Sequence, residues 1–138
     1  MKKNILVFVS LCALCLFTWQ VQAVNVERLS ITIINTEDNV PTGYEAFYLE
    51  GKLSYSTGPN DIVAGANKNS VYLHFNQSFG NVSISIYNEE GNLVYNSVVD
   101  TSMQRTVIIP IMGNSDSTFS VVLDSTFGDA EGDFRRNE

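Results

Sequence analysis

The sequence predicts an all-β protein, an antiparallel immunoglobulin-like β-sandwich of about seven strands. Three observations predict it. Apolar residues recur at every second position, turn-forming residues interrupt them roughly every ten residues, and no stretch follows the three-and-four spacing of a helix.

The chain opens MKKNILVFVSLCALCLFTWQVQA, with Lys2 and Lys3 ahead of an apolar run from Ile5 to Phe17 and the small-residue exit Val21-Gln22-Ala23. That is the pattern of a secretory signal peptide, residues 1–23, cleaved after Ala23. The run is short for a membrane span, and nothing after it is apolar enough for one, so no transmembrane anchor is expected in the mature chain. Leu11 and Leu14 precede Cys12 and Cys15, where a lipoprotein signal needs a small residue, so lipidation is not expected.

Residues 24–138 are then read as a single domain. Both cysteines and Trp19 leave with the leader, which removes disulfides, thiol nucleophiles and thiolate metal sites from the mature chain. Of the eight basic residues Lys2 and Lys3 also leave, so six face fifteen acidic ones and the mature charge is about −9. Such a surface repels nucleic acid, which requires clustered Lys and Arg, and no nucleic-acid partner is expected.

Element by element, Leu29, Ile31 and Ile33 alternate with Ser30 and Thr32 as a first strand. Residues 44–56, YEAFYLEGKLSYS, mix periods and are read as strands, while residues 59–69, PNDIVAGANKN, are read as a loop of small residues. Val71, Leu73 and Phe75 alternate with Tyr72 and His74. Val82, Ile84 and Ile86 alternate with Ser83, Ser85 and Tyr87, and residues 88–92 then supply a turn in which Gly91 is free to take positive φ. Leu93 to Val99 return as the second arm of that hairpin. Val107, Ile109 and Ile111 line one face of the next strand, whose Pro110 argues for an edge or a bulge. Phe119, Val121 and Leu123 face inward on the strand from Ser117 to Asp124, and an acidic loop is expected over residues 124–133.

Several of these residues also carry a resemblance. The run SFGNVSISIYNEEGNLVY, preceded by VYLHFN and followed at a distance by FSVVLDSTFGDAEGDF, resembles a domain-of-unknown-function family. Its members are small secreted proteins of gut anaerobic, Bacteroides-type bacteria with an immunoglobulin-like sandwich. The likeness covers about residues 71–134. It implies the fold and export, and it implies no site, because the family has no assigned catalytic or binding residues. The hairpin is also similar to C-terminal sorting domains of such bacteria, which ride on a large cargo domain that is not seen here.

Candidate site residues are few. His74 is the single histidine, so any Ser-His-Asp triad or imidazole metal site would have to use it, and its strand position opposite Leu73 reads as solvated. Neither a G-x-S-x-G elbow nor an H-E-x-x-H motif occurs. Asp129, Glu131 and Asp133 are the calcium candidates, since carboxylates beside glycines can wrap a hard cation, although EF-hand spacing fails. Tyr44, Phe47, Tyr48 and Tyr55 are the glycan-binding candidates, an aromatic patch that could stack on sugar rings. Asp124-Ser125-Thr126 and Asp116-Ser117-Thr118 resemble D-S/T-x O-glycosylation acceptors of such bacteria.

The expected function is that of a non-enzymatic exported module at the periplasm, cell surface or outside the cell. It would bind another protein, chiefly through the edge strand at residues 106–111, with no catalytic residue, no metal and no cofactor. The alternative is a glycan-binding module that uses the aromatic patch.

Overall fold

The alternation of Val82, Ile84 and Ile86 with Ser83, Ser85 and Tyr87 builds β5 (Asn81–Asn88), and β6 (Leu93–Asp100) returns beside it in antiparallel register, Val82 opposite Val99 and Ile84 opposite Ser97. Gly91 in the connecting turn has φ +81°, as its position demanded. Asn88 Oδ1 accepts from the backbone N–H groups of Glu90 and Asn92, which closes the turn. The structure, a computed structural model, describes residues 39–58, 60–113 and 117–136. The expected signal peptide, the expected strand at Leu29–Ile33, and residues Pro59 and 114–116 of two expected turns lie outside the described residues.

The remaining strands are β1 (Glu45–Ala46), β2 (Glu50–Gly51), β3 (Ile62–Ala66), β4 (Ser70–Phe75), β7 (Thr106–Pro110), β8 (Thr118–Ser125) and β9 (Gly128–Arg135). They form two antiparallel sheets, ordered β1-β3-β4-β7 and β2-β9-β8-β5-β6. This is the expected all-β sandwich, with nine strand segments among the described residues where about seven were expected. Beyond β3 and β9, which were not expected, the count includes β1 and β2, which fall within residues 44–56 that the sequence reads as strands. Each is two residues long, and together they carry one segment across from the first sheet to the second.

The inner faces supply the core. Leu73, Phe75, Ile84, Ile86, Ile109 and Leu123 are fully buried, and Phe119 and Phe134 stack with ring centroids 5.4 Å apart. Each aliphatic so placed contributes about 1.5 to 3 kcal/mol, which is how two sheets hold together without a disulfide among the described residues.

Two segments differ from expectation, for physical reasons. Residues 62–66, IVAGA, form the inner strand β3 where a loop was expected. All five are buried, so the half-buried alternation that marks a strand is absent. Gly65 is forced by crowding on the outer face, where a Cβ would stand 2.2 Å from Val40 Cγ1. Residues 128–135 form strand β9, where an acidic loop was expected. Its carboxylates face outward and its glycines exist because β2 and the chain around it pass almost backbone to backbone. A Cβ on Gly132 would lie 2.1 Å from Tyr48 O, and one on Gly128 would lie 2.2 Å from Lys52 O. Glycines and carboxylates are poor strand formers, so the pattern hid the strand.

Candidate functional site

The two ends of the sandwich's cross-section are unlike each other. On one flank the segment through β1 and β2 bridges both sheets: Phe47 N–H donates to Ala64 O (3.2 Å), Lys52 N–H donates to Asp129 O (2.9 Å), and Leu49 is fully buried between them. The other flank is formed by β6 and β7, the last strands of their sheets, joined by the turn at residues 101–105. Among the described residues no strand pairs with the outer edge of either.

The direction of the unpaired backbone groups follows from the ladder. Phe75 N–H donates to Arg105 O and Ile111 N–H to Asn69 O, both 2.8 Å, so odd-numbered residues of β7 bond to β4 and even-numbered ones point away. Pro110 therefore sits where its missing N–H costs the sheet nothing. Gln104 Nε2 donates to Thr106 O (3.3 Å), which leaves Ile108 as the position of the open edge with neither backbone group bonded among the described residues. On β6 the Thr101 N–H to Gly80 O bond (2.9 Å) sets the same phase, with Asn96 and Val98 facing outward.

Apolar side chains gather on this flank. Of nine large hydrophobics that are exposed among the described residues, Leu93, Val94, Val98, Met103, Ile108 and Met112 belong to β6, β7 or the residues directly joined to them. Val98 is 63 % exposed and Ile108 59 % exposed. The turn that sets the two strands together is firmly held. Thr101 is fully buried, its Oγ1 accepts from Phe79 N–H (2.7 Å) and donates to Gly80 O (2.8 Å). Asp100 Oδ1 accepts from Ser102 Oγ (2.5 Å) and Ser102 N–H (2.9 Å), and these bonds hold its carboxyl below the ordinary aspartate value. Sequence reading found the β7 edge through Pro110 and missed the contribution of β6. The signal there is that Leu93 to Val99 carry apolar residues in both phases, Val94 and Val98 as well as Tyr95 and Val99.

The sequence-predicted candidates fall elsewhere. His74 lies on the outer face of its sheet, where its Nδ1 shares a 2.7 Å hydrogen bond with Thr106 Oγ1 and its ring stacks on Tyr72 at 6.5 Å. No nucleophile–base–acid arrangement surrounds it in the hydrogen bonds of the described residues. Asp129, Glu131 and Asp133 alternate along β9, so their α-carbons are about 6.6 Å apart in sequence order and all point off one face. Carboxylates spread along a strand do not wrap a cation as a loop does, and the described residues hold no cluster of three metal-ligating side chains.

The four aromatic candidates do not form one platform. Phe47 is a core residue, 5.2 Å from the Phe134 ring. Tyr44 packs against Tyr72 at 5.5 Å on the outer face of the four-stranded sheet, and its hydroxyl shares a 2.9 Å bond with Ser70 Oγ. Tyr48 is half-exposed on the other sheet beside Glu131 and Asp133, and Tyr55 stands 95 % exposed beside Phe127. The acceptor candidate Ser125 has a structural task, its Oγ donating to Leu53 O and Gly128 O.

Comparison with known proteins adds two findings. The pattern of a family described as "Domain of unknown function (DUF3244)" matches residues 47–136. The fold is similar to the crystal structure of a DUF3244 family protein from Bacteroides vulgatus with an immunoglobulin-like β-sandwich fold. The likeness has a TM-score of 0.58 at 16 % identity and covers 68 % of this chain and 99 % of that one. Among curated proteins none matches.

Proposed function

The chain belongs to the DUF3244 family of domains of unknown function, and on that premise we propose that it is an exported, non-enzymatic module that binds another protein along its open β6–β7 flank. One observation carries the reading: outward-facing backbone groups at Ile108 and Val98 lie on the flank that holds six of the nine exposed large hydrophobics among the described residues. An extended segment of a partner could pair with either edge, its main chain supplying affinity and its alternate side chains covering Ile108 or Val98. The leader-like residues 1–23 support export, and the engagement of His74 with Thr106 supports a non-catalytic role.

The test uses proline at the outward positions. Ile108→Pro and Val98→Pro each delete one edge donor while leaving the ladder to β4 or β5 intact. A complex isolated from cell-envelope extracts in high salt, where backbone pairing and apolar contacts persist, should be lost with one of the two variants. If both variants keep the parent's dichroism and thermal midpoint and still hold the partner, the flank is not the binding surface.

A further inference from the structure

The described residues contain five lysines and arginines, and three of them meet at one corner, where the turn at residues 67–69 between β3 and β4 reaches the end of β9. Arg136 acts as a brace, its Nε donating to Lys68 O and its Nη1 to Gly113 O. Lys68 and Arg135 instead line a cavity of about 350 Å³ together with Asn67, Asn69 and Glu45. No hydrogen bond or ion pair among the described residues engages the Lys68 ammonium or the Arg135 guanidinium.

The chemistry of the lining selects a ligand class. Asn67 Oδ1 accepts from the N–H groups of Asn69 and Ser70, both at 2.8 Å, and from Ser70 Oγ (3.3 Å). That fixes the carboxamide and leaves its Nδ2 group as a donor for an occupant. Two cations against the single carboxylate of Glu45 give the lining a net charge of about +1, which suits a monoanion and disfavours a dianion. The Arg135 fork matches a carboxylate in two-point fashion, and carboxamides, able both to donate and to accept, match neighbouring hydroxyls. The volume lies at the small end of ligand sites and admits one sugar ring. We propose that this cavity binds the carboxylate of a sugar acid, with Arg135 and Lys68 holding the charge and Asn67 and Asn69 reading the hydroxyls.

The described residues carry ten carboxylates against five lysines and arginines, so the corner where three of those five cations meet is the one that favours a carboxylate ligand. Galacturonate and glucuronate titrated into ¹⁵N-labelled protein should give saturable shifts centred on the amides of Asn67, Lys68, Asn69 and Arg135. Galactose and glucose should bind at least about tenfold more weakly, as should acetate, which has the charge without the hydroxyls. Arg135→Gln and Lys68→Gln, both at exposed positions, should each weaken uronate binding about tenfold while leaving the other amide signals in place. No saturable shift with either uronate overturns the proposal. So does acetate or inorganic phosphate binding as tightly as the uronates, or uronate binding unchanged by Arg135→Gln.

Discussion

Gly132 passes so close to Tyr48 that a side-chain carbon on the glycine would lie 2.1 Å from the tyrosine's carbonyl oxygen, with Leu49 Cδ2 at 3.0 Å behind it. The contact is what lets the segment through β1 and β2 seal one flank of the sandwich against β9. Replacing Gly132 with Ala should therefore force backbone apart from backbone and cost about 1 to 3 kcal/mol or more. Gly43→Ala is the comparison, since nothing lies within 4 Å of its Cβ and only its φ of +94° opposes the change. Thermal unfolding should show Gly132→Ala with the larger loss of midpoint; a midpoint equal to the parent's would mean that β2 does not dock as described.

Thr101 ties the start of β5 to the end of β6 through two bonds made by one buried hydroxyl, at 2.7 and 2.8 Å. Thr101→Val keeps the shape and removes both, leaving Phe79 N–H and Gly80 O without that partner. The expected loss is about 1 to 3 kcal/mol by denaturant unfolding. Thr101→Ser, which keeps the hydroxyl, should lose markedly less, and equal losses would assign the effect to the methyl group.

The Asp100 carboxyl titrates below the ordinary 3.8 because Ser102 donates to it from side chain and backbone, with Met103 adding a backbone bond. A depressed folded-state pKa gives stability that is full above pH 3.8 and is lost as pH falls through the lower folded value. Asp100→Asn should remove that acid-side dependence, so that the variant is less stable than the parent at pH 7 and the two converge as pH falls through the folded-state value. Carboxyl chemical shifts followed below pH 4 would check it, and an Asp100 midpoint at or above 3.8 would contradict the turn geometry.

How far the sequence disclosed all this depended on what each residue was doing. The β5–β6 hairpin was legible because Val82, Ile84 and Ile86 face a core while their neighbours face solvent, and a period of two records that division directly. β3 was not, because Val63 and Gly65 are covered as well as Ile62, Ala64 and Ala66, and a strand buried on both faces has no alternation to read. β9 was not, because close backbone approach at Gly128 and Gly132 overrode strand propensity. Pro110 announced its own edge. The apolar flank as a whole was hidden, since Val98 and Ile108 become neighbours in function only through the order of strands in two separate sheets. Lys68 and Arg135 are further apart still, and nothing local in either segment points to the other.

Adjacent residues of β7 should respond to proline in opposite ways. Ile109 pairs with Val71 and its N–H belongs to the ladder, so Ile109→Pro should break the sheet at a fully buried site and cost about 3 kcal/mol or more. Ile108→Pro touches only the outward edge and should keep most of the parent's stability. Urea unfolding of the two variants measures the difference, and similar losses would mean that the phase of β7 is reversed.

Phe47 and Tyr48 are neighbours in sequence that the fold sends to opposite environments, and this separates a packing role from a binding one. Phe47 meets Phe134 at 5.2 Å, and Phe134 stacks on Phe119 at 5.4 Å, so the three rings form one buried column between the sheets. Truncating Phe47 to Ala removes the end of that column and leaves a cavity, at an expected cost of about 3 to 5 kcal/mol. Tyr48 is 50 % exposed, and Tyr48→Ala should cost well under half as much. Paired urea titrations would show the contrast. If Phe47→Ala proved as mild as Tyr48→Ala, the ring column would not be a support of the fold, and the reading of Phe47 as one member of a surface aromatic patch would regain its basis.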